Sequence, residues 1–115
     1  MDVRLHAEDG RVVCERCTLA DRPLARMRGL LGRRSLPPGE GILLRPASSI
    51  HTAFMRFAID AVFLDRELRV TRVVERVAPW RMAAARGSRS VLELLAGEAD
   101  RRSLQPGDLL RWEEP

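Results

Sequence analysis

The sequence predicts a single α+β domain, rich in β-structure, built mostly of antiparallel strands in a barrel-like or strongly curved sheet with two or three short helices. Three observations lead there. Short runs of Val, Leu, Ile and Phe recur along the chain ("VRLHA", "AIDAVFLD", "LRVTRVVERV", "VLELLAG", "DLLRW"), with the length and composition of strands. Turn-forming pairs, Asp9-Gly10 and Pro106-Gly107, lie between such runs. The chain has 115 residues, about one domain's length and enough to bury roughly two-thirds of its unfolded surface. Residues 1–115 are therefore read as one domain around one core.

In chain order, "VRLHA", "EDGR" and "RVVCERC" read as strand, turn and strand, because Asp9-Gly10 separates two β-prone runs. From Asp21 the period changes. Leu24, Met27, Leu30 and Leu31 recur at helical spacing, with Arg22, Arg26, Arg28 and Arg33 mostly elsewhere around the helix. Asp21 suits the N-cap, Pro23 the first turn and Gly32 the stop. "SLPPGEG" is an irregular loop, and "ILL" a short buried strand. "AIDAVFLD" and "LRVTRVVERV" form an antiparallel pair turned at Asp65-Arg66-Glu67. "APWRMAAARGSRS" is a long excursion with room for a turn of helix at its alanines. "VLELLAG" is a strand, "EADRRSL" a short helix and "DLLRW" the last strand.

Composition narrows the function classes. An apolar fraction of 45% against 31% charged residues is a globular balance, unlike disordered or fibrous chains. The longest apolar runs, such as Ala61–Leu64, fall far short of the roughly 20 residues a membrane-spanning helix needs. The start, "MDVRLHAEDG", lacks a basic segment followed by an apolar one, which predicts a cytoplasmic location. The formal charge is +4, yet every basic residue is Arg, and Lys, Asn and Tyr are absent. G+C-rich coding accounts for part of that abundance. Five Arg lie within residues 22–34 without an acid, and six between Arg69 and Arg89 face only Glu75. Such stripes are the footprint of polyanion binding. With five aromatic residues and no DNA- or RNA-reading motif, nucleic-acid binding is the less favoured reading.

The polar residues of "SIHTAFMRFAIDAVFLD" carry the site prediction. In an extended segment His51, Ala53 and Met55 share one face, and Ile50, Thr52 and Phe54 the other. Asp60 aligns with Val62 and Leu64, opposite Ile59, Ala61 and Phe63, so a carboxylate enters an apolar strand and requires a partner. Arg56 or His51 suits that role. The favoured consequence is a structural lock; the sharper one is an Asp60-oriented His51 acting as acid/base. Glu93 repeats the pattern within "VLELLAG", joining Val91 and Leu95 opposite Leu92 and Leu94. If Asp60 and Glu93 meet Arg28 or Arg56, they form one buried polar cluster.

The predicted pocket therefore comprises His51, Thr52, Met55, Arg56, Asp60, Glu93 and Arg28. Its expected role is noncatalytic: an accessory module binding a small ligand or a protein partner. A hydrolase or lyase using His51 and Asp60 is the alternative, and nucleic-acid binding through the arginine-rich surface a second. No catalytic residue is assigned, because no nucleophile with its base and no phosphate-binding loop is visible.

Cys14-Glu15-Arg16-Cys17 has C-x-x-C spacing. On a regular strand positions three apart face opposite ways, so a disulfide or a shared metal needs a bulge. A four-ligand zinc set would have to recruit His6 and His51 from unrelated segments. No metal or cofactor is predicted.

"RMRGLLGRRSLPPGEGILL", "HTAFMRFAIDAVFLD", Pro79, "VLELLAG" and a final "GD" follow one another as do the motif blocks of an uncharacterised prokaryotic family, domain of unknown function 192. From about Ala25 to Leu110 the chain resembles that family. The matching positions are Arg28, Gly29, Leu30, Gly32, Arg33 and Gly41, then Met55, Ile59, Asp60 and Asp65, then Pro79, Leu92, Glu93, Gly97, Gly107 and Asp108. Many members carry a Trp-Met-Lys-Asn-Thr type of run where this chain has Phe54–Ala58, and the chain resembles the sub-group with His51-Thr52. The resemblance implies a compact β-rich fold with its hallmarks gathered around one face.

Overall fold

The computed structural model describes residues 2–21 and 35–113. Strand β1 (Asp2–Ala7) and β2 (Val12–Ala20) form the expected antiparallel hairpin. Gly10 sits at its tip with φ +92°, a conformation that suits glycine, and the Asp9 carboxylate accepts from the Arg11 amide at 3.0 Å. Strand β3 (Glu40–Leu44) lies parallel to β2, the one parallel pairing among the described residues. Strands β5 (Ile59–Leu64), β6 (Val70–Val77) and β8 (Ser90–Leu95) pair antiparallel. Short β4 (Ser49–His51) and β7 (Met82–Ala84) form a separate two-stranded sheet. Helix α1 (Glu98–Arg101) and strand β9 (Leu110–Glu113) complete the chain.

The main sheet has seven strands in the order β6-β5-β8-β3-β2-β1-β9. The fold is thus β-rich and mostly antiparallel, as the strand patterns require. It is not a closed barrel. The edge strands meet at an isolated Arg69–Leu109 bridge, with the Val70 amide donating to the Asp108 carbonyl at 2.7 Å and the Leu110 amide to the Leu68 carbonyl at 2.9 Å. The expectation of two or three helices is also corrected: among the described residues there is one. The helix predicted from Asp21, and Arg28 with it, lies outside the described residues beyond Asp21. The alanine-rich run forms β7 instead of a helical turn, because Ala83 pairs with Ile50 and packs against the core. Tertiary pairing outweighs the helix propensity of alanine.

Both faces of the sheet are buried. Val62, Leu64, Leu92 and Leu94 belong to one cluster with Leu5, Leu43, Leu110 and Ala99 of α1. Ile59, Ala61, Phe63 and Val91 belong to the other, with Ile42, Leu36, Ile50 and Met55. The alternation in β5 and β8 is the one their sequences predict, and it decides where the two buried acids go.

Candidate functional site

Asp60 and Glu93 point to opposite faces of the sheet. Directly opposed residues of an antiparallel pair share a face. Asp60 opposes Leu94 and Glu93 opposes Ala61, so the two acids cannot form one cluster.

Asp60 is fully buried, and its partners are backbone amides rather than Arg56 or His51. Its Oδ1 accepts from the Arg76 amide at 2.9 Å, and its Oδ2 from the Gly97 amide at 3.0 Å and the Ala99 amide at 2.9 Å. Arg76 presents its amide at a register shift opposite Asp60 and takes φ +53°. Gly97 is the N-cap of α1 and supplies no side-chain cap. Asp60 therefore satisfies two amides that open the helix while tying β5 to β6. This is the lock anticipated for the carboxylate, with different partners.

Glu93 is buried on the other face, and none of the described residues donates a hydrogen bond to its carboxyl group. Desolvation pushes its pKa up to about 7, as expected for a carboxyl group without a compensating charge.

Thr52 is the third fully buried polar residue of the predicted set, and it closes two loops on each other. Its hydroxyl donates to the Ala78 carbonyl at 2.6 Å and accepts from the Arg81 amide at 2.8 Å. Its own amide donates to the Arg81 carbonyl at 2.9 Å, and its carbonyl accepts from the Trp80 amide at 3.0 Å and the Met55 amide at 3.1 Å. Residues 52–56 consequently turn rather than continue as a strand. Met55 swings into the core beneath, while His51 and Arg56 face solvent. The structure brings His51 and Thr52 to one loop; it does not bring them to Asp60 or to Glu93.

What the clasp presents is apolar, and sequence reasoning missed it. Phe54 and Trp80, both at φ +65°, are 71% and 60% exposed, and Met82, two residues after Trp80, is 77% exposed. The two rings pack edge to face with centroids 4.6 Å apart. Met82 opposes His51 across β4 and β7. A left-handed conformation at a bulky residue costs about 1–3 kcal/mol and persists where surrounding bonds impose it, here those of Thr52. Single exposed apolar residues are ordinary, but large ones grouped and held in place mark contact surfaces. The signal available in the sequence was Pro79 directly before Trp80, a turn former that interrupts strand pairing; Phe54, between Ala53 and Met55, carried none.

Replacing Thr52 by Val keeps the shape and removes the hydroxyl. The Ala78 carbonyl and the Arg81 amide would lose a partner, at a cost of about 2 kcal/mol for the buried groups. Urea denaturation is expected to show that loss, together with weaker ring-current shifts between Phe54 and Trp80. A Thr52→Val protein as stable as the parent would contradict the clasp.

Cys14 and Cys17 are both buried and reduced. Leu5 opposes Cys14 and Val3 opposes Cys17, with a register shift between: the bulge that brings both thiols to one side is present. The neighbouring Cys14 thiol and burial hold the Cys17 thiol far above the usual thiol range. Among the described residues no three His, Cys, Asp or Glu side chains converge on a common point. A protonated, buried thiol is a poor nucleophile, so an aromatic disulfide reagent is expected to label neither cysteine until the chain unfolds. Rapid labelling of the folded protein would contradict this placement.

A family model described as "Uncharacterized ACR", that of domain of unknown function 192, matches residues 4–112. The "UPF0127 protein" of Thermococcus sibiricus is 32% identical over 113 residues, covering 90% of this chain and 70% of that protein. A crystal structure from Sinorhizobium meliloti 1021, described as a "putative transcription regulator", superposes with a TM-score of 0.84 at 27% identity. It covers 96% of this chain and 92% of its own. A protein of unknown function from Novosphingobium aromaticivorans gives a TM-score of 0.83 at 25% identity, covering 97% and 84%.

Proposed function

This chain belongs to the domain of unknown function 192 family, and from that premise we propose that it is a noncatalytic binding module that docks a partner protein. The observation that carries this reading is the Phe54–Trp80 pair, exposed yet fixed by the Thr52 clasp, with exposed Met82 two residues after Trp80. Apolar area on a preorganised support is the usual anchor of a protein interface, since little conformational entropy is lost on binding. Arg56 and Arg81 follow Phe54 and Trp80 in the same loops, and both are exposed. The partner segment is therefore apolar with acidic flanks. A symmetric pair of copies would set these arginines against each other, which disfavours self-association.

An acid/base role for His51 has less support, because Asp60 spends both oxygens on backbone amides. A second reading draws on the Sinorhizobium description and the exposed arginines: single-stranded nucleic acid stacking on the aromatic pair. The edge-to-face packing works against it, since rings inclined at 60° to each other do not offer two parallel faces to successive stacked bases.

The two tryptophans give two indole NMR signals, from Trp80 and Trp112. Short peptides with a Leu/Phe core and acidic flanks are expected to move the Trp80 signal saturably and leave Trp112 in place. Peptides flanked by Lys should not. An unmoved Trp80, or equal response to both peptide sets, would count against a protein-docking surface, and a response to single-stranded oligonucleotide alone would favour the second reading.

A further inference from the structure

A different part of the molecule carries a second binding site. Strands β2, β3 and β5 end on the same side of the main sheet, and a cleft of about 430 Å³ opens there, within the size range of small-ligand sites. Arg45, directly after β3, lays its guanidinium over the Trp112 ring of β9, 4.7 Å from the centroid. Leu19 and Leu68 continue that apolar wall.

Opposite charges line the rest in an uneven way. Arg66 and Arg89 reach the cleft from backbone that is pinned. The Asp65 carboxylate accepts from the Glu67 and Arg69 amides at 2.8 and 2.9 Å, fixing the turn that carries Arg66. The Arg89 amide donates to the Leu64 carbonyl at 2.8 Å, and its carbonyl accepts from the Ala47 amide at 3.0 Å. Neither guanidinium has an acidic or hydrogen-bonding partner among the described residues, although acids are at hand. Asp65 is already engaged through one oxygen, and exposed Asp21 also lines the cleft. Two uncommitted guanidinium forks on rigid supports are suited to a phosphate or carboxylate. A planar Trp-Arg wall suits a flat ring, and the spare carboxylate oxygens suit hydroxyl or amino donors.

We propose that this cleft binds a small organic anion of the nucleoside monophosphate class, with its phosphate at Arg66 and Arg89 and its ring against Trp112 and Arg45. This site is independent of the Phe54–Trp80 surface, and either can fail without the other.

Adenosine monophosphate, adenosine and inorganic phosphate are the probes, with the two indole signals as readouts. Adenosine monophosphate is expected to move the Trp112 signal saturably while Trp80 stays still. The Arg66→Ala/Arg89→Ala protein, whose exposed substitutions leave the core intact, is expected to bind about tenfold more weakly or worse, the loss of two charge-assisted contacts. Inorganic phosphate and adenosine should each bind more weakly than the nucleotide. No movement of Trp112 at millimolar nucleotide, equal affinity in the double variant, or equal affinity for phosphate alone would each overturn the proposal.

Discussion

Asp60→Asn is expected to lower the unfolding free energy by about 3 kcal/mol or more, near the top of what a single buried polar change costs. The carboxylate accepts three buried amides, one on Oδ1 and two on Oδ2. An asparagine has one carbonyl oxygen, so whichever way it turns, its NH2 group faces a backbone donor. Either the Arg76 amide is orphaned, loosening β6 from β5, or the Gly97 and Ala99 amides are, and α1 loses its start. Gly97 has no side chain to take over the cap. A small domain has only about 5–15 kcal/mol in total, so the variant should unfold at markedly lower urea. A midpoint close to that of the parent, with an unchanged slope, would show that Asp60 does not hold these elements together.

Glu93 is expected to make the protein more stable in mild acid than at neutral pH. Its folded pKa of about 7 stands above the ordinary glutamate value of about 4.3. Between those values the folded protein keeps a proton that the unfolded chain has released. Stability is therefore fully present below the unfolded pKa and falls as pH rises through the folded one, by up to about 3 kcal/mol from this group. Glu93→Gln stays neutral and should flatten that part of the profile, gaining stability over the parent at about pH 8 and little at about pH 4. Urea denaturation across this range checks it. A variant that keeps the parent's full slope would place the titrating group elsewhere.

The sequence carried the sheet well because its strands alternate. The partition of Asp60, Val62 and Leu64 from Ile59, Ala61 and Phe63 follows from period two alone, and it was enough to predict a buried acid needing a partner. The partner itself was not legible. Donors came from backbone amides at a strand irregularity near Arg76 and a helix start at Gly97, and amides have no signature in a side-chain pattern. The same limit hid the turn at Thr52: a strand reading of residues 50–56 put Met55 with His51, whereas with the Thr52 hydroxyl bonded across to Ala78 and Arg81 the chain turns, and Met55 is buried while His51 is exposed. The strand reading placed Phe54 on a face with Ile50 and Thr52, and Trp80 lay in an irregular excursion, so neither position marked an exposed aromatic pair.

In the proposed arrangement Thr52 and Asp60 hold the fold while Phe54 and Trp80 face a partner protein, with Met82 two residues further on. The most direct measurement is photocross-linking in cells that naturally make the protein, with a benzophenone amino acid in place of Met82 and, as control, of exposed Thr71 on β6. A discrete adduct from position 82 that disappears in the Phe54→Ser/Trp80→Ser background, with none from position 71, is the predicted result. No adduct at position 82, or one that persists unchanged without the two aromatic residues, would contradict it.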